Sequence, residues 1–361
     1  MNRILQAFPH VGDKEQVALQ ACIQRSWLTE GPEAAKFKAR LQEITGSKYV
    51  ELAPNGTLGL FLALLALDLP RGSEILIPGF TFMATASAAV FAGLKPVLVD
   101  VDLKTFSATP AAYEQAITSR TSAIMPVHIY GQAAYAREIA ELARRHKLKM
   151  VEDAAQACGV YYAGQHAGTF GDIGVISFFA DKSVTMGEGG ALLIQDEALA
   201  QRVALLRNQG RISSGSYVHS DLGMNFRVTD MQCAIGNVQL EELPMIRADR
   251  LRRRALYREG LQGVCGIRFM ETDPKSELLP FRFPILSEKR DALMLALEAN
   301  NIETRSLFCP LHRQPALANI VDPIELPVCD LLYKEGISLP IHQDVREEDV
   351  HRIVRVIQAA S

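Results

Sequence analysis

The sequence predicts an α/β protein built on a mostly parallel sheet, and three observations lead there. Short apolar runs recur at 49–52, 74–77, 96–99, 123–127, 149–151, 175–178 and 191–194. Helical stretches such as 58–67, 83–91 and 134–146 alternate with them. The alternation ends near residue 228, where a long helical run begins. Strands that alternate with helices pair in parallel and are covered on both faces. Ligands of such sheets bind at the carboxyl ends of the strands.

The elements that follow read as a smaller α+β unit. The helical run 230–262 is expected to bend or break near Pro244, because proline lacks the N–H that a helix interior uses. Strands are expected at 266–269 and 280–285, a helix at 289–300, a strand near 302–304 and a final helix from Glu347. The predicted division is a large unit over 21–228, a smaller one over 229–361, and an N-terminal segment, 1–20, packed on the smaller unit.

Bulk properties narrow the function. The chain has 361 residues with a formal net charge of -3, which argues against a general nucleic-acid binder. Five arginines lie between Arg247 and Arg254, and they read as the solvated face of a helix. Six cysteines form no Cys-x-x-Cys pair, so free thiols and no metal site are expected. The apolar stretch 58–67 is far short of the ~20 residues of a membrane span. The first ten residues lack the apolar core of a signal peptide, and a cytoplasmic protein is expected.

Several short motifs carry chemistry. Lys182 stands in Ser177-Phe178-Phe179-Ala180-Asp181-Lys182, after an apolar strand and ahead of Gly187-Glu188-Gly189-Gly190. Asp153 ends the apolar run Val151-Glu152-Asp153, where a buried carboxylate needs a partner. A lysine amine forms a Schiff base with an aldehyde, and an aspartate keeps a pyridine nitrogen protonated. Pyridoxal phosphate (PLP) chemistry needs both groups from its protein. Asn55-Gly56-Thr57-Leu58 joins a strand to a helix; the glycine admits close approach and the helix start attracts phosphate, although threonine also caps helices with no ligand. Phe82 is placed to stack on an aromatic ring or to serve as core. Gln156 and Ser177 are ordinary polar residues taken alone.

Taken in order, these segments resemble the DegT/DnrJ/EryC1/StrS sugar aminotransferases, which have the aspartate aminotransferase fold (fold type I). The likeness runs from Trp27-Leu28-Thr29-Glu30-Gly31-Pro32 to Ser338-Leu339-Pro340. It includes Asn55-Gly56-Thr57, Thr81-Phe82-Met83-Ala84-Thr85, Val127-His128-Ile129-Tyr130-Gly131-Gln132, Glu152-Asp153-Ala154-Ala155-Gln156-Ala157 and Gly223-Met224-Asn225-Phe226-Arg227. The resemblance implies that Lys182 bonds covalently to PLP, Asp153 pairs with the ring nitrogen, Gln156 with the ring oxygen, and Phe82 stacks on the ring. It implies phosphate contacts from Gly56, Thr57, Leu58 and Ser177. It implies a homodimer in which Asn225 reaches the neighbour's site. Cys158 stands where relatives have histidine and is given no role. Lys182 argues against the family's dehydratase branch, which has histidine there.

The resemblance also bears on substrate. Relatives that aminate carbon 4 tend to carry threonine followed by Gly-Glu-Gly-Gly or Ala-Glu-Gly-Gly, and this chain has Thr185-Met186-Gly187-Glu188-Gly189-Gly190. The segment Arg305-Ser306-Leu307-Phe308-Cys309-Pro310-Leu311-His312 looks like its counterpart in GDP-perosamine synthases, apart from Ser306-Leu307 and Cys309. The expected reaction moves an amino group from glutamate to carbon 4 of a nucleotide-linked 4-keto-6-deoxyhexose, GDP-linked slightly favoured, for surface polysaccharide. Glu30, Phe308 and His312 are the candidate substrate contacts. A 3-keto-sugar or cyclitol aminotransferase, and a non-catalytic PLP-binding regulator, are the alternatives.

Overall fold

A computed structural model of the chain describes every residue except Met1, Ser214 and Ser216. Helices α1 (Asp13–Gln24) and α2 (Pro32–Thr45) lead into β1 (Tyr49–Ala53) and α3 (Gly56–Leu67). Then come β2 (Glu74–Pro78), α4 (Met83–Phe91), β3 (Lys95–Val99), α5 (Pro110–Ala116), β4 (Thr121–Ile124), α6 (Ala136–Arg145) and β5 (Lys149–Asp153). The short pair β6 (Tyr161–Tyr162) and β7 (Gln165–His166) precedes β8 (Ile173–Ser177), β9 (Gly190–Ile194) and α7 (Glu197–Arg207).

Seven of these strands form one sheet in the order β1-β9-β8-β5-β4-β2-β3. All of its pairings are parallel except those of β9, which runs against β1 and β8. Every residue of β2, β8 and β9 is buried, as expected of strands covered on both faces. Helix α3 is apolar around most of its circumference and packs against β8, β9, α4 and α7. Its start is fixed by Asn55, whose Oδ1 accepts the Leu58 N–H at 2.9 Å.

The rest of the chain begins with α8 (Asp230–Leu261). The expected break near Pro244 does not occur: the helix runs through the proline for 32 residues. It lies along α1, α2 and the last helix, and that packing outweighs the one lost helical hydrogen bond. Beyond it come β10 (Arg268–Phe269), β11 (Ser276–Glu277), β12 (Phe283–Leu286), α9 (Arg290–Ala299), β13 (Arg305–Ser306), α10 (Pro327–Glu335), β14 (Gly336–Leu339) and α11 (Glu347–Ala360). A four-stranded antiparallel sheet has the order β10-β12-β14-β13, and β11 joins β6 and β7 in a small third sheet. Ile4 pairs with Ile302 and is buried with Tyr257, Ile285, Leu339 and Ile353.

The arginine run also departs from expectation. Arg252 is exposed, but Arg250 is buried and donates to the carbonyl oxygens of Pro280 and Phe281 at 3.0 and 3.1 Å. Arg253 is largely covered as well, through bonds to the Val345 and Gln343 carbonyls. A guanidinium is tolerated inside when carbonyl oxygens meet its donors. Among the described residues no helix is long and apolar enough to cross a membrane.

Candidate active site

The sheet brings its chemistry to one end. Ala53 closes β1, Asp153 closes β5, Ser177 closes β8, and Gly190 opens β9. The register sets Ser177 and Ala53 beside Gly190 on either side, while Asp153 pairs with Val175. A cavity of about 430 Å³ opens there. Gly56, Thr57, Phe82, Asp153, Gln156, Ser177, Lys182 and Phe308 all line it.

One pole suits an anion. Gly56 and Thr57 open α3, so their amides have no carbonyl within the helix to bond to. A Cβ on Gly56 would stand 2.8 Å from that of Ser177, so only glycine lets the helix start close on the strand end. A Cβ on Gly190 would meet the Asn55 carbonyl oxygen at 2.7 Å, and the same restriction applies. The Leu58 amide, expected to bind phosphate, is already committed to the Asn55 side chain, and Leu58 does not line the cavity.

Asp153 sits deeper. Thr85 Oγ1 donates to its Oδ2 at 2.7 Å, and the Ala155 N–H to its Oδ1 at 3.2 Å. Burial pushes the carboxyl above the usual carboxylate range, against the opposing pull of the Thr85 and Ala155 hydrogen bonds and of the positive charge of Lys182. A cation bound beside it would be strongly favoured. The preceding residue anchors the strand end: Glu152 is fully buried and accepts from the Gly168, Phe170 and Gly171 amides, and it pairs with His128 Nε2 at 2.8 Å. Gln156 Oε1 accepts the Tyr130 N–H at 2.8 Å, which orients the amide and leaves its NH₂ to donate. Phe82 is 59% exposed, unusual for phenylalanine, and its ring lies 6.0 Å from that of Phe308. Phe308 in turn stacks on Tyr130 at 5.6 Å.

Lys182 Nζ lies over the Phe281 ring, 4.4 Å from its centre. Burial brings the amine down to about 8, so a substantial neutral fraction exists near physiological pH. Its neighbour Asp181 forms an ion pair with Arg282.

Two candidate substrate contacts lie outside the cavity of this chain. Glu30 is held by Arg207, Nη2 to Oε2 at 2.7 Å, and the same guanidinium donates from Nε to the Leu52 carbonyl. His312 Nε2 faces Asp330 at 3.0 Å and is largely covered. Neither lines the cavity: Glu30 is drawn into an ion pair with Arg207, and His312 is held by Asp330. Asn225 is exposed, bridges Asn208, and accepts the Arg227 N–H at 3.2 Å; it does not line the cavity of its own chain. Arg305, Ser306 and Ser338, from segments that carry the resemblance, also line the cavity, but sequence reasoning missed Gln6, Phe281 and Arg282. They lie in short or irregular segments, and no local pattern marks them.

The residues present fit PLP. A helix start for phosphate, a buried carboxylate for a pyridinium, an exposed aromatic face and an amine of lowered basicity converge on one cavity. This fold and this site define a PLP-dependent aminotransferase. The chain belongs to the DegT/DnrJ/EryC1/StrS aminotransferase family, whose model matches residues 9–358. It is 35% identical to a GDP-perosamine synthase of Caulobacter vibrioides over 98% of this chain and 97% of the relative. It is 36% identical to a UDP-N-acetyl-3-dehydro-alpha-D-glucosamine 3-aminotransferase of Acidithiobacillus ferrooxidans, over 91% of this chain and 88% of the relative. Among solved structures it is similar to the aminotransferase TlmJ of Streptoalloteichus hindustanus, with a TM-score of 0.95, 28% identity and 99% of both chains covered.

Proposed function

We propose that the enzyme transfers the amino group of glutamate to carbon 4 of a nucleotide-linked 4-keto-6-deoxyhexose, with GDP favoured as the nucleotide, in the cytoplasm. The observation that carries this reading is that Arg305 and Phe308, from the 305–312 segment that resembles its GDP-perosamine synthase counterpart, line the same cavity as Lys182. The likeness to a named GDP-perosamine synthase supports it.

In this reading Lys182 bonds to the cofactor, and Asp153 faces the ring nitrogen. Gln156 donates to the ring oxygen, Phe82 covers the ring, and Gly56, Thr57 and Ser177 hold the phosphate. Bound PLP supplies an electron sink for the charge left when the donor's α-carbon loses its proton. Lys182 Nζ takes that proton, which its lowered basicity permits near neutral pH, and returns it on the other side of the exchange. Asp153 stays ionised against the ring nitrogen. Phe308 and Tyr130 wall off the sugar's side and exclude water. A homodimer in which Asn225 enters the partner's site completes the phosphate end. The reading assigns no sugar contact to Glu30, which is paired with Arg207, or to His312, which is held by Asp330.

A second reading, amination at carbon 3, has the 3-aminotransferase relative behind it. Turnover with glutamate against GDP-, dTDP- and UDP-linked 4-keto and 3-keto sugars, with NMR of the product, separates the two. An amine on carbon 3 would overturn the carbon-4 reading.

A further inference from the structure

Two cations share one aromatic ring beside the candidate catalytic lysine. Lys182 Nζ and Arg282 Cζ each lie 4.4 Å from the centre of the Phe281 ring. Phe281 itself is buried and held from both sides: its N–H donates to the Tyr130 carbonyl at 3.2 Å, and its own carbonyl accepts Arg250 Nη1 at 3.1 Å. The ring therefore has little freedom to move away. Arg282 also takes the carboxylate of Asp181, the residue directly before the lysine.

The arrangement answers a problem of the chemistry. A lysine that serves as proton carrier is released from its covalent partner in every cycle and needs somewhere to stand. A carboxylate there would bind the ammonium tightly and raise its basicity. The one carboxylate adjacent in sequence, Asp181, is occupied by a rival cation. What the amine finds is a π-face, which attracts an ammonium weakly and lets it go.

We propose that the Phe281 ring is the seat of the Lys182 ammonium whenever that amine is not bonded to the cofactor, and that the Asp181–Arg282 pair keeps lysine and ring in register. Phe281 and Arg282 are thus positioning residues for the exchange. The inference rests on Lys182 being the cofactor-bonding lysine. Charged groups bear on the amine from each neighbouring segment: Asp181 and Arg282 beside it, and Asp153 at the strand end. Arg305 and Tyr130 act on Arg282. Arg250 lies behind the ring.

Competitive labelling of the apoenzyme with acetic anhydride across pH, read by mass spectrometry of the Lys182 peptide, gives the basicity of the free amine. The series places phenylalanine, mono-, di- and trifluorophenylalanine at position 281, which drains the ring's negative face at nearly constant shape. Because the ring favours the charged form, each step should lower the amine's pKa, by about half a unit or more in total. Phe281→Tyr should preserve it, and Phe281→Leu, where the protein folds, should lower it. Donor affinity should stay nearly unchanged across the same series. An amine titration that is flat across the fluorinated series overturns the proposal. Borohydride reduction of the holoenzyme tests its premise separately: hydride fixing the cofactor to a lysine other than 182 overturns the reading of the site, whatever the labelling shows.

Discussion

Thr85 Oγ1 donates to Asp153 Oδ2 at 2.7 Å, and this bond joins the first turn of α4 to the end of β5. It holds one carboxylate oxygen, while the Ala155 amide holds the other. Asp153→Asn should keep some affinity for PLP and transaminate at least about a hundredfold more slowly, because an amide cannot balance a pyridinium charge in a dry site. Thr85→Val removes the orienting bond, worth about 1–2 kcal/mol, together with the 2.9 Å bond to the Thr81 hydroxyl, so a loss of roughly tenfold is expected. Single-turnover rates with glutamate check both. A near-normal rate in the asparagine variant removes Asp153 from the mechanism.

The depressed basicity of Lys182 makes the apoenzyme's stability depend on pH. The amine is near 8 when folded and near 10.5 when unfolded. Below pH 8 both states carry the charge, and the folded state bears its burial cost in full. Between 8 and 10.5 the unfolded chain holds more protons, so stability rises with pH; above 10.5 the cost is gone. Lys182→Met should abolish this slope. The apo variant is expected to be the more stable protein at pH 7 by roughly 2–4 kcal/mol, a gap that narrows towards pH 10. Urea melts of both apoproteins across this range measure it.

Asn225 is exposed on its own chain and lines no part of its own cavity, which suits a residue that serves a neighbour. A mixed dimer of Lys182→Ala and Asn225→Ala chains should hold one site with both defects and one with neither. About half the wild-type activity per dimer is the expected recovery, measured on differentially tagged, purified heterodimers. Activity no higher than the sum of the parents would place the sites within single chains.

Phe308 lines the cavity and His312 does not. Phe308→Ala should therefore weaken ketosugar turnover by roughly tenfold or more, from lost packing on Tyr130 and the substrate, while the reaction with glutamate changes little. His312→Ala breaks only its pair with Asp330 and should alter sugar turnover less than threefold, as expected for a partly exposed pair. Steady-state kinetics with the best ketosugar distinguish them.

Much of this molecule is readable one residue at a time, and the remainder is not. Asp153 and Ser177 close strands, Gly56 opens the helix after β1 and Lys182 lies in the loop after β8, and strand ends show in the sequence as apolar runs that give way to polar residues or glycine. The alternation of periods places those ends together before any contact is known. Glu30 and Leu58 have partners, Arg207 and the Asn55 side chain, that compete with any ligand, and composition carries no sign of such competition. Arg250 was read as solvated because a helix shows its period but not what lies across from it; the carbonyls it meets come from 30 and 31 residues away. Strand β11 has two residues, too few for any period to register, whereas β10 falls within the expected 266–269 run. Pro244 signals a local cost, and only the packing along α8 shows that the cost is met.

The cavity's two walls differ in how they are built. The anion end is held where three adjacent strands meet, with glycines at 56 and 190 that admit no larger side chain. The opposite wall includes β13, two residues at the edge of the smaller sheet, paired on one side only. The two residues of β13 are therefore less constrained than the strand ends, while Phe308, in the same segment, is tied to the cofactor side by its contacts with Tyr130 and Phe82. A lineage of such enzymes has almost no neutral changes open to it at the strand ends. Constancy in chemistry follows from where that wall is anchored.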